Sequence, residues 1–203
     1  GNIASGAATA RILTFNNTAT GAINNSTIKV NVDDFKNAGT ITTGASSKIE
    51  VYNSFDNAEN ANFTLNGTLA LNGAADVKDA KTTFNNAGLF SGGTINIVNN
   101  VLTFNNATTG VIKNSTISGA GTIQTFTNAG TITNSTLAKN LTIGTLDNSG
   151  VIDNSTITVN VNDFKNAGKI TAAASSTINV SNSFNNAGTL SGGTITLKGA
   201  DSV

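Results

Sequence analysis

Cysteine, proline, methionine, histidine and tryptophan are all missing from this 203-residue chain, and tyrosine occurs once. Without His or Cys there is no ordinary zinc, haem or iron–sulfur ligand set, no Ser-His-Asp triad and no thiol nucleophile, so no cofactor is expected. Lack of proline leaves every backbone N–H free to donate, which suits strands in the middle of a sheet. Lack of cysteine fits passage through an oxidising space and fits the cytosol equally. Charge is scarce and balanced: 11 basic and 11 acidic residues give a formal net charge of zero. With no basic cluster, no nucleic-acid partner is expected. No run approaches the roughly 18 apolar residues of a membrane span, so no membrane insertion of this segment is expected. The chain opens at Gly1 without a charged n-region or an apolar h-region. No signal peptide is therefore read in it, and the missing initiator Met points to an excised or processed piece.

What is present is repetitive. Asn (33), Thr (32) and Gly (21) together supply 86 residues. Phe, or once Leu, returns at Phe15, Phe35, Phe55, Phe84, Phe104, Phe126, Leu146, Phe164 and Phe184. Two positions after each marker stands Asn: Asn17, Asn37, Asn57, Asn86, Asn106, Asn128, Asn148, Asn166 and Asn186. Spacings cluster at 20 residues, with one of 29 between Phe55 and Phe84. A longer echo overlies this period: residues 21–58 match residues 150–187 without gaps at 27 of 38 positions. Whole blocks have been duplicated.

Inside each repeat the apolar residues alternate with polar ones, as in the run Ile157, Val159, Val161 separated by Thr158 and Asn160. Period two is the strand signature, and Asn-Ser, Ala-Gly and Gly-Gly breaks supply the corners. Helical spacing is absent apart from a possible turn near residues 74–80. A unit of about 20 residues with three short strands cannot close a core alone, but stacked units can. The reading is an all-β, right-handed parallel β-helix (solenoid) of about nine coils. At a strand spacing of roughly 4.8 Å it forms a single rod on the order of 40 Å long. Phe then forms an interior aromatic column, and Asn, sharing its parity, an inward corner ladder whose amides bond from coil to coil. A β-sandwich or barrel also uses short alternating strands. Neither requires nine Asn in register.

The motif Phe-x-Asn-Ala-Gly-x-Ile-x-Asn-Ser-Thr-Ile, seen at residues 126–137 (FTNAGTITNSTL) and 146–157 (LDNSGVIDNSTI), resembles the repeats of filamentous-haemagglutinin-type exoproteins. Those are large bacterial surface proteins, including adhesins and contact-dependent inhibition proteins. The resemblance implies a right-handed parallel β-helix, two-partner secretion across a Gram-negative envelope to the outer surface or medium, and a fibre whose binding or toxin parts lie elsewhere.

Candidate sites are few. Enzymes built on parallel β-helices need clustered carboxylates, whereas Asp33, Asp34, Asp56, Glu59, Asp147, Asp153 and Asp163 are scattered and read as solvated faces. Arg11 is expected in a frayed first coil. Lys36 and Asp56, and Asp147 and Lys165, fall one coil apart and are expected to form exposed ion pairs. The long interval places Phe63 inward, followed by Leu69 and Leu71, and leaves residues 73–81 (GAADVKDAK) as a charged bulge leaving the rod. Gly73, Asp76, Lys78, Asp79 and Lys81 in that bulge, with the outward Tyr52, are the candidates for partner binding. The favoured function is a non-enzymatic structural shaft whose partners are flanking coils of the same long chain. The alternative is a receptor- or glycan-binding module that touches host or neighbouring cells through loop 73–81.

Overall fold

The computed structural model describes residues 1–5 and 10–198. Over these residues the chain winds as a parallel β-solenoid of about nine coils, each strand pairing with the coil before and the coil after. One coil shows the construction. Thr122–Asn128 and Thr131–Thr133 form two runs, and Thr136–Asn148 continues into the next coil. Ile123, Phe126, Asn128, Ile132 and Leu137 point inward and are fully buried, while the threonines between them stay on the surface. β-branched residues on both sides of a pleated strand favour this conformation.

The corners depend on residues that tolerate a left-handed backbone. Asn25, Asn114, Asn134 and Asn154, each opening an Asn-Ser-Thr, have φ between 46° and 54°. Where Ser-Gly-Gly replaces that motif, Gly92, Gly93, Gly192 and Gly193 adopt φ of 63° to 78°. Asn and Gly are the residues that enter this region at least cost.

All nine markers stand opposite one another in a single column from Phe15 to Phe184. Adjacent Phe rings stack with centroids 4.2–5.4 Å apart and planes within 16°. Leu146 interrupts the aromatic stack between Phe126 and Phe164 while keeping its inward place. Phe63 and Phe90 form a second short stack, 5.3 Å apart and edge-on to the first. Phe63, Leu69 and Leu71 are buried as their spacing predicts.

The nine asparagines form an unbroken chain of eight amide bonds. Nδ2 of each donates to Oδ1 of the next at 2.7–2.9 Å. The amide also donates to backbone carbonyls of the adjoining corner; Asn106, for example, reaches Gly110 O and Thr131 O at 3.2 Å. A second polar column escapes the sequence reading. Ser47, Ser115, Ser135, Ser155 and Ser176 are buried, and the hydroxyls of all but Ser115 accept a backbone N–H of the preceding coil, as Ser155 Oγ does from Ser135 N, while Ser115 Oγ donates to Gly92 O at 2.9 Å. Ser115, Ser135 and Ser155 follow a corner Asn, whereas Ser47 and Ser176 follow another Ser.

Surface charges behave differently from expectation. Lys36 does face Asp56, and Asp147 faces Lys165. Neither pair closes: the ion pairs among the described residues are Arg11–Asp33, Lys48–Glu50, Lys78–Asp76 and Lys169–Asp153. Asp56 accepts instead from Asn85 Nδ2 at 2.8 Å. Short side chains already held near the carboxylate lose less rotamer freedom than a lysine would.

The duplicated blocks also share a coil-to-coil staple. Asp34 accepts from Asn53 and Ser54, and Asp163 from Asn182 and Ser183 at 2.6 Å each. The bonds from Ser183 and Asn182 hold the Asp163 carboxyl below its ordinary value of 3.8. A carboxyl depressed in the folded state stabilises at pH above its unfolded value. That contribution disappears as pH falls below 3.8 and through the lower folded value. The Asn182 and Ser183 amide resonances should therefore titrate together with a midpoint below 3.8. A midpoint at or above it removes the staple.

Candidate functional site

The rod departs from its repeat where the strand Thr68–Leu71 ends. Residues 73–81 do not leave the rod as a free bulge; they fold back along it. Ala74 forms an isolated antiparallel bridge with Asn100, whose N donates to Ala74 O at 3.0 Å and whose Nδ2 donates to Ala75 O at 2.7 Å. One coil further on, Gln124 Nε2 donates to Val77 O. The segment thus straps two neighbouring coils, because carbonyls leaving the sheet must find donors and those side chains supply them. Gly73 permits the close approach: a Cβ there would lie 1.8 Å from Asn100 O. The turn itself is a 3-10 helix, Val77–Asp79, capped by Asp76, whose carboxylate accepts from Lys78 N.

Four of the six candidate residues come together. Tyr52, Gly73, Asp79 and Lys81 line one surface depression of about 280 Å³, joined by Arg11, Asn72, Ala74 and Thr82. Asp76 and Lys78 are not among them. They pair with each other at 3.3 Å on the outer side of the turn, both largely exposed.

Arg11 is not frayed. It begins the strand Arg11–Asn17, and its Nε lies 2.9 Å from Asp33 Oδ1. Its guanidinium carbon sits 4.6 Å from the centre of the Tyr52 ring, within range of a cation–π contact. The Tyr52 hydroxyl donates to Glu50 Oε2 at 3.3 Å. Desolvation, followed by the Glu50 charge, raises the Tyr52 pKa above its ordinary value. Glu50 also pairs with Lys48 and raises the lysine's pKa through that hydrogen bond. On the far side, Thr82 Oγ1 donates to Tyr52 O at 2.8 Å and fixes the end of the loop against the strand.

Asn72 was invisible as a site residue in the sequence. Its backbone N donates to Val51 O at 2.8 Å, but its side-chain Nδ2, shielded from solvent, has no acceptor. Apart from Thr171 Oγ1, it is the one buried side-chain polar atom among the described residues without a partner. Neither Arg11 nor Asn72 belongs to a repeated column, and Arg11, expected in a frayed first coil, meets Tyr52 only across an intervening coil. Among the described residues no three potential metal ligands converge, and no helix is long and apolar enough to cross a membrane. The arrangement offers hydrogen-bond donors and one carboxylate. It offers no nucleophile–base pair.

No family model, curated protein or solved structure matches this chain.

Proposed function

We propose that the chain is a non-enzymatic shaft segment of a bacterial surface or secreted exoprotein of the filamentous-haemagglutinin type, holding a binding or toxin part away from a Gram-negative cell. The observation that carries this reading is the continuity of the columns. Nine markers and nine asparagines run through every coil in one direction. Such a stack is stiff along its axis because each coil rests on its neighbours through close-packed rings and amide bonds. Right-handed winding, the usual hand for parallel crossovers, belongs to the same proposal.

The partners of the segment are then flanking coils of the same chain. In the last described coil Phe184 is 38% exposed and Leu197 63%, whereas Phe164, one coil inside, is fully buried. A further coil would cover both and extend the two ladders.

The test is replacement within the intact surface protein of the producing bacterium. Exchanging this segment for an unrelated β-solenoid of equal coil number should preserve display and target engagement, while deleting it should shorten reach and reduce engagement. Loss of engagement in the exchanged protein, with display intact, overturns the shaft reading and places recognition in this segment, on a host or neighbouring-cell receptor.

A further inference from the structure

We propose that the depression between Arg11 and the 73–81 strap binds one carboxylate-bearing sugar unit of the uronic-acid class. Its walls are built before any ligand arrives. Arg11 is held from two sides, by Asp33 at Nε and by the Tyr52 ring beneath its guanidinium. Among the described residues Asp33 is its one ion-pair partner. A guanidinium fixed in this way presents a planar fork that matches a carboxylate. Lys81 also has no ion-pair partner among the described residues. Asn72 lines the same depression, and its buried Nδ2 is, with Thr171 Oγ1, one of two buried side-chain polar atoms without a partner among the described residues. A buried donor without an acceptor is a standing cost, relieved when an oxygen reaches it.

Charge narrows the ligand. Two cations, Arg11 and Lys81, are offset by Asp33 behind the guanidinium and Asp79 in the lining. A singly charged carboxylate is accommodated, while a phosphate dianion would meet both carboxylates at close range. Asp79 is in addition an acceptor-only group suited to sugar hydroxyls. Arg11 covers one face of the single tyrosine ring, so recognition rests on hydrogen bonds and needs no exposed aromatic platform. At about 280 Å³ the depression lies just below the range of roughly 300–1,000 Å³ typical of drug-sized ligands. It suits one ring, and its open side leaves room for a saccharide chain to continue.

This site is independent of the shaft reading, since a shaft can carry it on its flank. The experiment is a titration of the isotope-labelled chain by NMR with D-galacturonate, D-galactose, acetate and inorganic phosphate. Galacturonate should move the Asn72 side-chain amide and the Gly73, Asp79 and Lys81 resonances with a Kd on the order of 1 mM, galactose should not, and acetate should bind more weakly at the same residues. Asn72→Leu and Lys81→Ala should each weaken galacturonate binding about tenfold with the remaining spectrum unchanged; Lys81 is exposed, so that variant does not depend on core packing. No response at concentrations about tenfold above that value, equal binding of galactose, tighter binding of phosphate, or unaltered affinity in both variants overturns the proposal. None of these results bears on the exchange experiment that tests the shaft.

Discussion

Phe104→Ala is expected to destabilise the centre of the rod by about 3–5 kcal/mol. Phe104 is fully buried, with Phe84 stacked 4.2 Å on one side and Phe126 4.7 Å on the other. Removing the ring leaves a cavity that two rigid coils cannot close, and it cancels two stacked pairs worth roughly 0.5–1.5 kcal/mol each beyond burial. Because a coil couples only to its neighbours, the loss is local and should split the denaturant transition into two steps, one for each side of the defect. Phe184→Ala removes a ring that is 38% exposed and stacks on Phe164 alone, at 5.2 Å. It should cost well under half as much and leave a single main transition. Guanidinium unfolding followed by circular dichroism compares the two. Equal losses would mean that the aromatic column does not carry the stability assigned to it.

Asn106→Leu should cost about 2–5 kcal/mol, although leucine is close in size and more apolar. The substitution leaves Asn86 Nδ2 without its Oδ1 acceptor and Asn128 Oδ1 without its donor, both in the dry interior. A stranded group costs about 1–3 kcal/mol, and less for the Asn86 amide, which keeps the Gly88 and Val111 carbonyls. The ladder also makes a sharper statement about pairs. Once Asn106 is leucine, Asn86→Leu removes a donor that has already lost its ladder acceptor, so the double variant should lose less than the sum of the single losses. Strict additivity in that double-mutant cycle would show that the amides act separately. These two predictions separate the contributions of the interior: Phe supplies packing, and Asn holds the coils in register by making every slipped pairing leave amides unmatched.

The comparison of sequence with structure turns on what recurs. Phe126, Asn128 and Ile132 were assignable to the interior because each has an equivalent in the coil above and the coil below, in the same environment. The corner at Asn134 was legible for the same reason, since Asn-Ser-Thr and Ser-Gly-Gly alternate at one place and share a need for positive φ. The buried Ser135 column recurs in five coils. It was passed over because a serine next to a corner is ordinary turn chemistry whether it faces in or out.

The strap and its depression were only half visible. The surplus of residues 73–81 was countable, and Tyr52 stood out as the single tyrosine. That they would meet was not readable, because Asn100 and Gln124, which pull the loop down, lie one and two coils further along and have no motif. The expected pairs Lys36–Asp56 and Asp147–Lys165 fail for a related reason. Backbone register sets which residues face each other, but which side chains close depends on the competing partners around them.

The strand period, the parity of the columns and the stacking of like on like follow from the order of residues alone. In a solenoid each repeat is its neighbour's environment, so periodicity in one dimension is already contact in three. Where the non-repeating residues come to rest, and with them the depression lined by Arg11, Tyr52 and Asn72, is set by packing between coils. Those contacts join side chains from different coils through distances and donors that no local pattern encodes.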